Sequence, residues 1–370
     1  MSALKKKVYF LLSSEAYLEP ISGDRINEMN IIRAMLGEYE VYYNGVLVDP
    51  EDKAFGDKER VIHTPKDGDY DLIYIRNNKQ VFLDSPSPKL WFASPYDKEC
   101  FEQADGIVCM TKPWKTALEK YDSSKYDYFQ ATYPEDMRAP EICILFPQVI
   151  DGSHFIEVNK KEKIEQVVAP VSLKHRLIKL FKKSHEEKKV IRHFGPIRPS
   201  NYPYQVISAL SNKEISIKVQ AECVGAGKKI SIPKQIVNVP RIPQEQVADM
   251  LHSADAIWYN QDASGHIAGS LKVLEAMAVG VPILLPRYDA RVDELGEDYP
   301  FFWELEDGTS IKDGNQKDFL DKLNKITSIS PEKRADLKVY LRKRALRHSK
   351  ENVANIINDE LNYFWERYNG

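Results

Sequence analysis

Twice along this chain, short apolar runs alternate with segments whose apolar residues recur at helical spacing, and that pattern admits few folds. The first series of runs covers residues 8–12, 40–43, 71–75, 90–93, 107–110 and 143–146. Within it, a helix starting near Asp24 carries Ile26, Met29, Ile32 and Leu36 on one face. The second series covers 190–194, 215–219, 236–239, 256–259 and 281–285. Helices are expected from 204 to 211, over 244–254 with Val247, Met250, Leu251 and Ala254 on one face, and over 269–279. From Pro331 the pattern is helical to the end of the chain. Short apolar runs separated by helices mark strands of a parallel sheet with crossover helices. Two such series predict an α/β protein with two Rossmann-like domains facing each other across a cleft. Ligands in such folds bind beyond the carboxyl ends of the strands, which points to the loops after Leu12, Phe194 and Tyr259.

The chain has 370 residues, 43% hydrophobic and 29% charged, a globular mixture with enough apolar surface for two cores. A polar stretch at 157–166 fits an interdomain connection. The expected division is therefore 1–156, 157–345, and a C-terminal helix over 346–370 that crosses back to the first domain. The formal net charge of −3, with basic residues spread along the chain, makes neither nucleic acid nor anionic lipid an expected partner. The apolar run at 8–12 breaks at Ser13-Ser14-Glu15 and does not read as a secretory signal. The longest apolar stretch, 276–285, is too short for a membrane span, so any membrane association is expected to be peripheral. Cys100, Cys109, Cys143 and Cys223 lack metal-binding or disulfide spacing and read as small core residues in a reducing compartment, so a cytoplasmic location is expected.

The stretch 255–286 carries the chemistry: a strand, a loop with Gly265, Gly269 and Ser270, a helix, then a buried strand. The glycines allow close approach of backbone to a ligand, and the helix N-terminus offers free N–H groups to an anion. Lys272 and Glu275 stand three residues apart and share one side of that helix. The lysine can reach a diphosphate, and the carboxylate can accept both hydroxyls of a ribose. On spacing alone, the pair reads first as a surface ion pair.

The segment Ser270-Leu271-Lys272-Val273-Leu274-Glu275-Ala276-Met277-Ala278-Val279-Gly280-Val281-Pro282 resembles the K-x-x-E-A-M-A-x-G-x-P pattern of the retaining glycosyltransferases of family four, which have the GT-B fold. His193-Phe194-Gly195-Pro196-Ile197-Arg198 is similar to the strand and turn that open that family's second domain. The stretch from Val239 through Arg241 to Val247 resembles the helix and strand before the donor loop. Phe146-Pro147-Gln148-Val149-Ile150-Asp151 resembles the end of the first domain. The resemblance implies a first, acceptor domain and a second domain that binds a nucleoside-diphosphate sugar. It implies Arg198 and Lys272 on the diphosphate, with Gly195, Gly269 and Ser270 close to it. Glu275 would lie on the ribose and the backbone near Arg241 on the base. No metal and no other cofactor are expected, since no D-x-D triplet lies near the glycine-rich loop.

Three positions depart from the family pattern. Ile267 stands where the family has a glutamate, Ala93-Ser94-Pro95-Tyr96-Asp97 lacks the family's first-domain histidine, and Pro199-Ser200-Asn201 follows Arg198 without its lysine. His266 and Asp97 are the nearest polar substitutes for catalysis, though His266 reads also as a plain loop residue and Asp97 as the cap of the next helix. Gly23, with Arg25, opens the first helix as a contact to phosphate or acceptor, or as a simple turn. Arg76 ends its strand either on an anionic acceptor or in solvent. The leading expectation is a retaining hexosyltransferase acting on a glycan or glycolipid hydroxyl, as in polysaccharide synthesis. A sugar-nucleotide epimerase of the same fold and a non-catalytic binding subunit remain alternatives, and the oligomeric state stays open.

Overall fold

A computed structural model describes residues 5–11, 23–51, 63–93, 96–120, 140–150, 152, 188–211, 219–225, 234–261, 263–305 and 314–370. The expected connection at 157–166 lies outside them. The chain forms two compact units. One comprises Met1–Asp151, His266–Leu271 and Arg347–Gly370, and the other Gly152–Gly265 and Lys272–Leu346.

The first unit is built on strands β1 (Lys6–Leu11), β2 (Tyr39–Tyr43), β3 (Val46–Leu47), β4 (Leu72–Ile75), β5 (Lys89–Phe92), β6 (Gly106–Cys109) and β7 (Cys143–Leu145). They lie in the order β3-β2-β1-β4-β5-β6-β7 and run parallel except for the β2–β3 pair. Every residue of β4, β5, β6 and β7 is buried, because helices cover both faces of a parallel sheet. The antiparallel β3 was not expected. It follows from Asn44-Gly45, whose φ angles of 53° and 88° make the two-residue turn that suits a hairpin's twist.

The helical pattern after Pro331 resolves into Pro331–Ala345 and Lys350–Asn369, separated at Leu346–His348. The second of these helices belongs to the first unit and packs on the helix Gly23–Met35 and on β7. Its Glu360 carboxylate accepts from the Lys115 ammonium at 2.7 Å and from the Leu145 backbone N–H at 2.9 Å. Val353, Ile357, Leu361 and Phe364 form its buried stripe, at the i, i+4, i+8 and i+11 spacing of an amphipathic helix.

The second unit contains β8 (Lys189–Phe194), β9 (Val219–Val224), β10 (Ile236–Val239), β11 (Ala256–Trp258), β12 (Ile283–Pro286) and β13 (Phe302–Trp303), in the order β10-β9-β8-β11-β12-β13. The pairs are all parallel. The strand expected at 215–219 instead runs over Val219–Val224, and 212–218 lie outside the described residues. Polar residues disguised it. Glu222 is buried because Arg192, opposite it on β8, donates to its carboxylate at 2.5 Å, which neutralises a charge that would otherwise be costly to bury. All four cysteines are buried and unbridged. Among the described residues no helix is long and apolar enough to cross a membrane.

Candidate nucleotide-sugar site

In the second sheet, β8 is flanked by β9 on one side and β11 on the other, so connections leave in opposite directions from the β8–β11 pair. That reversal opens a crevice at the carboxyl ends of the two strands, the usual ligand position in an open parallel sheet. The chain leaves β8 through Gly195 and Arg198, and β11 leads through 259–270 into the helix Leu271–Val279.

Gly195 has φ +93°, a backbone conformation that favours glycine, and its N–H donates to Val224 O at 2.8 Å. A Cβ at this position would lie 2.6 Å from Lys272 Nζ and 2.9 Å from its Cε. Glycine is thus required twice, for the turn and for the room the ammonium occupies. Lys272 is the second residue of its helix. Burial, with Arg198 close enough to add repulsion, pushes its pKa down to about 8, against the pull of Glu275. Arg198 is exposed, and its backbone N–H donates to Asn201 Oδ1 at 2.5 Å.

One turn after Lys272, Glu275 is buried, and its Oε1 accepts from Gln244 Nε2 at 2.8 Å. Leu274 and Ala278 pack inward as expected, whereas Leu271 is only half-buried. Arg241 is exposed just past β10 and lies beside the left-handed Gly225, whose Cβ would sit 3.6 Å from the Arg241 Cα. The structure thus brings Gly195, Arg198, Lys272, Glu275 and Arg241 to one end of one sheet.

Two residues that sequence reasoning did not single out complete this group. Gln244 fixes one oxygen of Glu275, and its only signal was its position after Pro243 at the start of a helical turn. His193 is fully buried, stacks on Trp258 with 4.6 Å between ring centroids, and holds Nδ1 3.4 Å from Trp258 O. Burial and the neighbouring Lys272 push its pKa down to about 3, so the imidazole is neutral.

The glycine-rich loop has different local reasons from those expected. A Cβ on Gly265 would fall 2.3 Å from Cδ2 of Tyr288, and one on Gly269 would fall 2.6 Å from Oε1 of Gln148. Both glycines therefore accommodate side chains of the protein itself. Ser270 is buried, and His266 ends a short 3-10 turn, half-buried. Ile267 lies in the first unit's hydrophobic core, and its carbonyl accepts from Thr111 Oγ1 at 2.5 Å.

The remaining candidates are in the first unit. Asp97 caps the helix Lys98–Gln103, accepting from the Cys100 N–H at 3.1 Å, and pairs with Lys79 at 3.0 Å. Burial alone would raise its pKa, but the Cys100 N–H and Lys79 outweigh this and hold the carboxyl below its ordinary range. Gly23 is the first residue of the helix Gly23–Met35, and 12–22 before it lie outside the described residues. Arg76 corrects the expectation of a solvated or ligand-facing strand end. It is buried, pairs with Glu28 at 2.8 Å and holds its guanidinium 4.1 Å from the Phe92 ring centroid. Among the described residues no group of three or more His, Cys, Asp or Glu is placed to hold a metal ion.

A comparison with curated protein sequences finds no match. Among solved structures, HepE from Anabaena in complex with UDP and glucose superposes with a TM-score of 0.63 at 14% identity, over 97% of this chain and 100% of that one. The lipopolysaccharide outer core galactosyltransferase WaaB gives 0.59 at 12% identity, over 96% and 99%. The α,α-trehalose 6-phosphate synthase from Burkholderia multivorans gives 0.54 at 11%, over 80% and 72%. The chain thus has the two-domain, parallel-sheet α/β fold of the GT-B glycosyltransferases, and residues 175–344, which include β8 and the Lys272–Glu275 helix, match the family model for glycosyl transferases group 1.

Proposed function

We propose that the protein is a hexosyltransferase that moves a sugar from a nucleoside diphosphate to a hydroxyl of a glycan or glycolipid, with retention at the anomeric carbon. The observation that carries this reading is the Lys272 ammonium seated against Gly195 at the β8–β11 reversal, one helical turn from the buried Glu275. A cation and a helix N-terminus side by side suit a diphosphate leaving group. Glu275, held at one oxygen by Gln244, accepts the ribose hydroxyls. The second unit is then the donor-binding domain and the first the acceptor domain. HepE was crystallised with UDP and with UDP-glucose, which makes these the first donors to test here.

Charge builds on the diphosphate as the glycosidic bond breaks. Arg198, Lys272 and the Gly269 and Ser270 N–H groups offset it without a divalent cation. The acceptor hydroxyl attacks the face that the diphosphate leaves, and the diphosphate takes its proton. The reaction fits the cytoplasm, where sugar nucleotides are made, and a role in polysaccharide synthesis.

Turnover of UDP-glucose in excess chelator, with proton NMR of the product, tests the reading. Activity that survives chelation and an α-linked product from the α-linked donor support it. Activity lost in chelator and restored by Mg²⁺ overturns the metal-free mechanism, and a β-linked product overturns retention. The core position of Ile267, where the family pattern has a glutamate, favours a non-catalytic binding subunit as the second reading. Binding without turnover would select it.

A further inference from the structure

His193 stands at the end of β8, just before Phe194 and Gly195, and is fully buried. Its register partner on β9 is Cys223, also fully buried, so the two side chains share one face of the second sheet. On its other side the imidazole stacks on Trp258 of β11, with 4.6 Å between ring centroids and 26° between planes. The three side chains make a floor across β9, β8 and β11. Both Cys223 and His193 lie close enough to Lys272 to feel its charge, so its side chain runs over this floor to reach Gly195. All of these residues belong to the second unit.

The floor carries no charge at neutral pH. Burial pushes the Cys223 thiol up, and burial together with Lys272 pushes the imidazole down. The charged groups that act on the amine are Arg198, which repels it, and Glu275 on its own helix, one oxygen of which accepts from Gln244. The imidazole nevertheless has a dipole of fixed direction. The Trp258 carbonyl, 3.4 Å from Nδ1, can only accept, so Nδ1 carries the proton and Nε2 keeps its lone pair. With Nδ1 tied to the backbone of the neighbouring strand, Nε2 stands at the outer end of the ring, toward the layer that holds Lys272. A lone pair on that side favours the charged form of the amine without neutralising it.

We infer that His193 is a positioning residue for the cation of the diphosphate site: its fixed, uncharged imidazole supports the Lys272 ammonium through a dipole and leaves the full counter-charge to the ligand. The effect on the amine stands on the second unit alone. Its consequence for a diphosphate rests on the donor reading above.

The test titrates Lys272 directly, by NMR of ligand-free protein carrying isotope-labelled lysine, with the resonance assigned by its loss in Lys272→Arg. The wild-type amine should titrate near 8. His193→Phe keeps an aromatic ring against Trp258 and removes both nitrogens, and the midpoint should fall by about half a pH unit or more. His193→Gln restores a side-chain acceptor and should recover part of that shift. UDP affinity at pH 8, read by calorimetry, should fall about 2-fold in His193→Phe, as the charged fraction of the amine halves. If His193→Phe does not fold, His193→Leu makes the same comparison. An unchanged midpoint in the folded variant, or an equal shift in His193→Gln, would overturn the inference and leave the donor reading standing. A shifted midpoint in a protein that does not bind UDP would keep the effect on Lys272 and overturn the donor reading.

Discussion

The Lys272 ammonium occupies the space where a side chain at Gly195 would begin, 2.6 Å from an ideal Cβ. The two residues are far apart in sequence and come from different elements, the end of β8 and the first turn of the helix after β11. A left-handed turn thus seats a cation at the carboxyl edge of the second sheet. The relationship makes a backbone residue part of the charge design.

Gly195→Ala should therefore harm both folding and binding. The left-handed backbone costs a non-glycine residue about 1–2 kcal/mol, which thermal unfolding will register. The new methyl also displaces the ammonium, so affinity for UDP should fall about 10-fold or more, as for a lost charge-assisted contact. A variant that loses stability but binds UDP like the wild type would show that Lys272 does not face the ligand from this position.

Lys272 gives two pH dependences of opposite sign. Its folded pKa is about 8 against an ordinary 10.5, so between these values the unfolded chain holds more protons and the group's contribution to stability rises with pH. A bound diphosphate favours the charged amine. Nucleotide affinity should therefore fall as pH rises above about 8, with proton uptake on binding. Calorimetry in two buffers of different ionisation enthalpy measures that uptake. Lys272→Arg, which stays charged throughout, should bind without it.

Gln244→Leu should weaken nucleotide binding about 3- to 10-fold by removing the amide that donates to Glu275, and Glu275→Ala should weaken it by about 1.5–3 kcal/mol. The order of the two effects is the check: a larger loss at Gln244 than at Glu275 would mean that the glutamine, not the carboxylate, meets the nucleotide.

Much of this was legible because the cues were local. Continuous apolar runs marked β4, β6, β11 and β12, and the lysine, glutamate and glycines around the helix after β11 stood close together in sequence. What escaped depends on distant partners. Glu222 makes β9 look like a surface segment until Arg192 is placed beside it. Arg76 reads as a solvated strand end until Glu28 and Phe92 enclose it. Gly269 looks like room for a ligand, but only the fold brings Gln148 against it. Asn44-Gly45, by contrast, was a local hairpin signal in plain view beside short apolar residues.

In the first unit, Glu360 ties the C-terminal helix to the sheet through Lys115 and the Leu145 N–H. Glu360→Ala should destabilise the protein by about 1–3 kcal/mol, since both donors are partly buried and lose a charged acceptor. Denaturant unfolding would show this as a lower midpoint, while UDP affinity of the folded protein stays within 2-fold. A large loss of affinity would tie this helix to the site instead.

In this reading a nucleoside diphosphate binds at the carboxyl ends of β8 and β11, gripped by Lys272 and Glu275. Calorimetric titration of UDP into the wild type, Lys272→Ala and Glu275→Ala tests it most directly. Saturable binding by the wild type is expected, with a loss of roughly 10-fold or more in each variant, the scale of a hydrogen bond to a charged group. Variants that bind UDP as tightly as the wild type would contradict it.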